Sequence, residues 1–343
     1  MTEVAVVILN YNGRNFLHQF LPSVIAYSST AKIIVADNGS TDDSLSLLEK
    51  GFPQIEIIKI GSNLGYCGGY NYALKRVEAE YYVLLNSDVE VTDGWIDPIQ
   101  TLFKRDSTIA AAQPKILSYH QKDTFEYAGA GGGYIDSLGY PFCRGRIFDR
   151  LEKDQGQYND TRSVFWATGA CLFIRSNIFH SAGGLDEDFF AHMEEIDLCW
   201  RLNRAGHRVY YVGSSTVYHV GAGTLPKSNP HKTYLNFTNG FSLLVKHLPA
   251  NKFFWKLPLR IILDLIAALT FLFQGSPADF GAVIRAILNS LRMFPYNLSK
   301  RKKLTSQIPG YHVSNQYKGL LVADYYLLGK KTFEDLSEFS NPR

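Results

Sequence analysis

The sequence predicts an α/β fold with a mostly parallel sheet flanked by helices, and three observations lead there. Short β-rich runs alternate with helix-like segments through roughly the first hundred residues, the pattern of βαβ units. Those runs are continuously apolar, as strands covered on both faces are. Polar residues gather where the runs stop, and the open carboxyl edge of such a sheet is where ligands bind.

Taken in order, strands are predicted over 4–9, 33–36, 55–60 and 81–85, and helices over 16–26, 41–50, 68–77 and 95–104. Residues 118–163 break the pattern. They are rich in glycine and aromatics, as in Ala128-Gly129-Ala130-Gly131-Gly132-Gly133, and read as long loops and short strands of the kind that contact substrates. The alternation resumes with a strand over 171–174, a helix over 194–205 and a strand over 209–212. A chain of 343 residues that is 46% hydrophobic and 20% charged buries a sizeable core, which excludes a disordered protein. We divide it into an α/β domain over 1–245 and a C-terminal helical extension over 246–343.

The extension has its own character. Residues 246–303 hold ten Lys/Arg against Asp264 and Asp279, a charge of +8, so the rest of the chain carries −5 within the total of +3. The apolar run over 253–273 is interrupted by Lys256, Arg260 and Asp264, and falls short of the roughly 20 apolar residues of a spanning helix. Over 279–294, Arg285, Asn289 and Arg292 share one helical face against Val283, Ile284, Ile287, Leu288 and Leu291. The basic run Lys300 to Lys303 follows. An amphipathic segment lying in the plane of an anionic membrane surface fits this pattern, and helices packed on the catalytic body or on a second subunit of a homodimer are the alternative. No nucleic-acid partner is expected. The four cysteines lack zinc-ligand spacing and read as free thiols, and the first strand starts without a basic leader. A cytoplasmic protein, peripheral on the inner face of the plasma membrane, is the expectation.

Four strand ends and one helix start carry candidate chemistry. The first strand ends in Asn10-Tyr11-Asn12 and the second in Asp37-Asn38-Gly39-Ser40-Thr41-Asp42. An acid such as Asp37 is placed to accept hydrogen bonds from a nucleoside, or else closes a turn before a capped helix. The third is followed by Asn63-Leu64-Gly65-Tyr66-Cys67-Gly68-Gly69, glycines that open a helix and favour an anion such as a diphosphate. The spacing is neither the dinucleotide fingerprint nor a Walker A loop. The fourth delivers Asn86-Ser87-Asp88, where a carboxylate either holds a hard divalent cation or bonds its own turn. His219 ends a later strand and becomes a second metal ligand only with Asp88 nearby, a nitrogen donor that favours Mn²⁺ over Mg²⁺. In Glu194-Glu195-Ile196-Asp197, Glu194, Asp197 and Arg201 share a face, whereas Glu195 points elsewhere with no basic neighbour at i+4, as a general base does.

These segments, together with Gly184-Leu185-Asp186-Glu187-Asp188-Phe189-Phe190 and Leu198-Cys199-Trp200-Arg201-Leu202, resemble in order and spacing the family 2 glycosyltransferases, and within them the rhamnosyltransferase-like branch. The resemblance covers residues 4–225. It implies a GT-A fold, a nucleotide-diphosphate sugar donor such as dTDP-rhamnose or a UDP-hexose, and inversion as the sugar moves to a hydroxyl of a saccharide or lipid-linked saccharide in cell-surface polysaccharide assembly. By position, Asn10, Asn12 and Asp37 would hold the nucleoside, Asn63 and Gly65 the diphosphate, and Trp166 with Gly169 the sugar and acceptor pocket. Asp88, with Asn86 beside it, would hold Mn²⁺ or Mg²⁺, joined by His219, and Glu195 would be the base, with Glu194 or Asp197 as substitutes.

Two positions depart from the family. Asn86 stands where an acid is usual, which leaves the metal site one negative charge short, and Glu195 stands where Asp is usual. Both keep open a non-catalytic nucleotide-sugar-binding subunit. A sugar-phosphate nucleotidyltransferase would need a Gly-rich basic loop after the first strand, where this chain has Asn10-Tyr11-Asn12-Gly13-Arg14.

Overall fold

The computed structural model describes residues 2–221, 229–311 and 313–336. Its first third is the predicted alternation: β1 (Thr2–Asn10), α1 (Arg14–Tyr27), β2 (Lys32–Asp37), α2 (Ser44–Gly51), β3 (Glu56–Lys59), α3 (Gly65–Leu74) and β4 (Ala79–Asn86). After β5 (Val89–Val91), α4 (Asp97–Arg105) and β6 (Ile109–Ser118) come four short strands, β7 (Gly133–Ile135), β8 (Pro141–Cys143), β9 (Arg146–Ile147) and β10 (Arg150–Leu151). The remainder is β11 (Thr161–Val164), β12 (Cys171–Arg175), α5 (Ser176–Ser181), α6 (Glu194–Arg204), β13 (Arg208–His219) and five helices, α7 (Pro230–His247), α8 (Ala250–Phe273), α9 (Pro277–Arg292), α10 (Phe294–Gln307) and α11 (Leu321–Tyr326).

Nine strands make the central sheet, in the order β11-β13-β6-β12-β4-β1-β2-β3 with β5 paired to β13. The half made of β4-β1-β2-β3 is wholly parallel. In the other half β12 runs antiparallel between β4 and β6. The register sets Asn10 beside Asp37 and Leu9 beside Asn86, so three strands end on one line. Strand β1 shows why such strands are apolar throughout. Ala5 and Val7 pack into one buried cluster and Val4, Val6 and Ile8 into the other, one on each face.

The sequence ended one strand near residue 212 and began another before His219. The two are a single strand, β13, whose pairing with β6 shifts register between Val212 and Thr216. That irregularity hides continuity from a pattern of period two. The Gly-rich segment forms the second, four-stranded sheet, and its glycines are steric necessities: a Cβ on Gly133 would sit 2.1 Å from the Trp166 ring.

Charges that appeared to interrupt the apolar run of α8 point inward. Lys256 donates to the Ser137 carbonyl, Arg260 Nε lies 2.8 Å from Asp264 Oδ1, and Arg260 also donates to the Leu138 carbonyl at 3.1 Å. The apolar side chains face out instead, with Phe254 82% and Phe273 87% exposed. Helix α8 is therefore an amphipathic helix whose polar face meets the protein. Among the described residues, no helix is long and apolar enough to cross a membrane.

Candidate active site

The cleft begins at the ends of β1 and β2, where a cavity of about 600 Å³ is lined by Asn12, Gly13, Arg14, Thr41 and Asp42. Buried Asn10 donates through Nδ2 to Asp37 Oδ1 and to Ser40 Oγ, both at 3.1 Å, while its Oδ1 has no partner. A buried acceptor without a donor costs about 1–3 kcal/mol, which a ligand N–H would offset. Asn12, at φ 51°, accepts from the Thr41 amide at 2.7 Å and so ties the two strand ends together.

The turn before α3 is built on Asn63, whose Oδ1 accepts from Gly65 N at 2.8 Å and from Asn38 Nδ2 at 3.1 Å. Gly65 takes φ 70°, and a Cβ there would lie 2.6 Å from the Phe190 ring. Tyr66 follows, its amide donating to the Phe190 carbonyl at 3.0 Å and its hydroxyl to the Gly169 carbonyl at 2.7 Å. Gly169 leaves the space that Tyr66 fills, since a Cβ there would come within 2.8 Å of that hydroxyl and 3.8 Å of Glu194 Oε1.

Beyond the end of β4, Asp88 Oδ1 lies 3.2 Å from His219 Nε2, and Asn86 Nδ2 lies 3.4 Å from the same nitrogen. The fold thus brings together the three residues that sequence placed at a metal. The other ring nitrogen, Nδ1, is 3.1 Å from Glu126 Oε2. Burial disfavours a charged imidazole, but Asp88 and Glu126 on either side outweigh it and push the His219 pKa up to about 10. An ion at Nε2 would have to displace the proton held there, and with that proton gone the donors would suit a hard divalent ion. A carboxylate and an imidazole, the latter oriented by an outer carboxylate, form a recognised ligand arrangement, and phosphate oxygens and water ordinarily complete such sites. Among the described residues, no group of three or more His, Cys, Asp or Glu is arranged to hold an ion alone.

Helix α6 opens with the acid pair. Glu194 is buried and Glu195 partly so, and each has one carboxylate oxygen with no partner. Burial and the neighbouring Glu195 raise the Glu194 carboxyl well above its ordinary range, and burial pushes Glu195 up to about 7. Burial of both carboxyls and the charge each would place beside the other oppose a second ionisation, so the pair holds a proton to higher pH than an isolated glutamate does. Asp197 lies elsewhere. Fully buried, it is held by Arg201 Nε at 2.9 Å, Lys246 Nζ at 2.5 Å and His247 Nε2 at 2.9 Å, and the two cations with the hydrogen bond from neutral His247 outweigh burial and keep it ionised. Trp166 is buried, its Nε1 donating to the Tyr134 carbonyl at 2.8 Å.

Sequence reasoning missed Glu126, Tyr66 and Asn239. Glu126 sits in the Gly-rich segment, where no period marks it, and Asn239 lies on α7, outside every motif. Tyr66 stood within the quoted turn, but nothing local tells that its hydroxyl crosses to Gly169.

A family model described as Glycosyl transferase family 2 matches residues 5–180. The chain is 28% identical over 288 residues to N-acetylglucosaminyl-diphospho-decaprenol L-rhamnosyltransferase of Mycobacterium tuberculosis, covering 76% of this chain and 89% of that protein. It is 26% identical to rhamnosyltransferase WbbL of Escherichia coli K12, covering 63% of this chain and 83% of WbbL. The backbone is similar to GalNAc-T7, solved with UDP, GalNAc and Mn²⁺, with a TM-score of 0.58 at 16% identity over 90% of this chain and 58% of that one. It is also similar to mannosyltransferase PcManGT of Pyrobaculum calidifontis, solved with GDP-Man and Mn²⁺, with a TM-score of 0.52 at 13% identity over 84% and 87%.

Proposed function

Because the chain belongs to glycosyl transferase family 2 and has the GT-A fold, we propose that it is an inverting, metal-assisted transferase that moves a sugar, rhamnose or a hexose, from a dTDP- or UDP-linked donor to a saccharide hydroxyl. The observation that carries this reading is the acid pair Glu194–Glu195, set at the start of α6 with Glu195 poised to titrate about neutrality. Asn10, Asn12 and Asp37 hold the nucleoside, and the Asn63–Gly65 turn, where a glycine lets the backbone come close, lies against the diphosphate. Asp88 and His219, with Asn86 beside them, would hold Mn²⁺ or Mg²⁺, whose charge would offset that of a departing diphosphate.

Glu195 accepts the proton of the acceptor hydroxyl as that oxygen attacks the anomeric carbon from the side opposite the diphosphate, so one displacement inverts the centre. Such a base contributes roughly 10²-fold to 10⁴-fold. With the Glu194 carboxyl held well above its ordinary range, the site resists a second negative charge. Tyr66, bridging the donor turn to Gly169, closes the wall between donor and acceptor.

We read the acceptor as a lipid-linked saccharide in cell-surface polysaccharide assembly, a reading supported by the decaprenol-linked acceptor in the mycobacterial relative's name. The outward apolar face of α8 suits an in-plane contact with the membrane, and the exposed cations nearby in the chain, Lys252, Arg285, Arg292, Lys302 and Lys303, suit an anionic one. Two copies meeting through this face would bring like charges together.

A thermal-shift panel of dTDP-, UDP- and GDP-sugars, with and without Mn²⁺, tests the assignment. A ligand that binds the folded state raises its melting temperature. One donor should stand out and need the ion; no shift with any donor overturns the reading.

A further inference from the structure

The residues just before the acid pair are held in a costly shape. Phe190, His192 and Met193 have φ of 57°, 69° and 72°, in the left-handed region that side chains with a Cβ rarely occupy. Three such residues within four positions persist only where the surroundings over-determine them. The surroundings are on α7. The Nδ2 group of Asn239, a residue 4% exposed, lies 3.0 Å from the Phe189 carbonyl, 3.0 Å from that of Ala191 and 2.8 Å from that of His192.

The loop has fixed points on either side. Its Phe190 carbonyl accepts the Tyr66 amide at the donor turn, and the Phe190 ring covers Gly65. Its Met193 carbonyl accepts the Asp197 amide and so starts α6. Two turns along the same face of α7, Lys246 binds both Asp186, at 2.6 Å, and Asp197. One helix face therefore grips the loop, the acid before it and the helix after it.

We propose that Asn239 is a positioning residue for the reaction: its side-chain amide, donated to three loop carbonyls, holds the left-handed 190–193 turn and thereby fixes where Glu194 and Glu195 stand relative to the donor turn. Helix α7 is by this inference part of the active-site machinery. The inference rests on the acid pair being the site of chemistry, as proposed above. It goes further by placing control of that pair on a helix outside the cleft.

The test uses the full-length protein and the nucleotide sugar selected by the thermal-shift panel, with hydrolysis or transfer followed in Mn²⁺. Asn239→Ala and Asn239→Leu remove the donors, and Glu195→Gln runs alongside. We expect both Asn239 variants to fold, to keep the donor KM within about twofold, and to lose roughly 10-fold to 100-fold in kcat, the scale of a displaced catalytic group. A role in stability alone would lower the melting temperature and leave kcat per folded molecule unchanged, and that result overturns the inference. If the Asn239 variants keep wild-type kcat while Glu195→Gln is inactive, the positioning role fails and the base assignment stands. If Glu195→Gln itself turns over normally, the base assignment fails and the inference falls with it.

Discussion

His219 Nδ1 lies 3.1 Å from Glu126 Oε2, and this contact leaves Nε2 facing Asp88. An outer carboxylate that fixes a histidine tautomer is worth about 10-fold to 100-fold in metal affinity. Glu126→Ala should weaken Mn²⁺ binding by that amount, measured by calorimetry with Mn²⁺ and UDP. Glu126→Gln should lose much less, because an amide oxygen still accepts the Nδ1 proton. Equal affinity in all three proteins would remove Glu126 from the site.

At the other end of the cleft, Asp37 accepts from Asn10 Nδ2 at 3.1 Å and from the Ser40 amide at 3.0 Å. Asp37→Ala leaves the Ser40 amide without its acceptor and Asn10 Nδ2 with Ser40 Oγ alone. It should weaken binding of free UDP or dTDP at least about tenfold, since each buried group left unpaired costs about 1–3 kcal/mol. Titration of the nucleotide without metal isolates this effect from the ion.

The outward face of α8 makes a separate prediction. Ile262 and Ile266 lie on that face, each 54% exposed, so Ile262→Glu with Ile266→Glu should change stability by no more than about 0.5 kcal/mol per site. Sedimentation with anionic vesicles at low salt should be lost. If the wild-type protein instead ignores vesicles and runs as a dimer that these substitutions dissociate, the face is a subunit contact.

How far the site was legible in the sequence depended on whether a residue acts near its chain neighbours. Asn10, Asp37 and Asp88 lie at or just beyond strand ends, and an apolar run that stops marks such an end without any structure. The line they form follows from parallel register, which alternation already implied. Glu195 stood out because helical spacing paired Asp197 with Arg201 and left it alone, and the 2.9 Å Arg201–Asp197 contact agrees.

What could not be read was contact across long separations. Glu126 meets His219 from an aperiodic segment, and Asn239 meets its loop from a helix whose pattern is ordinary. The inward charges of α8 were misleading for a related reason. A hydrophobic periodicity reports two faces of a helix but not which one the protein covers, and Arg260 with Asp264 takes the inside only because the Leu138 carbonyl and the Tyr140 hydroxyl meet them there.

The central claim is tested most directly by the pH dependence of turnover in the wild-type protein and in Glu195→Gln, with nucleotide affinity measured on both. Burial raises the Glu195 pKa to about 7, so the active, ionised form is gained as pH rises through that value. The same shift makes the folded protein bind this proton more tightly than the unfolded chain. Its stabilising effect is therefore full below the ordinary glutamate range and is lost as pH rises towards 7. Wild-type turnover should climb through a midpoint near 7, and Glu195→Gln should be reduced at least about 10²-fold at every pH while it binds UDP or dTDP as the wild type does. A Glu195→Gln protein that retains turnover, with the same midpoint, would contradict the central claim.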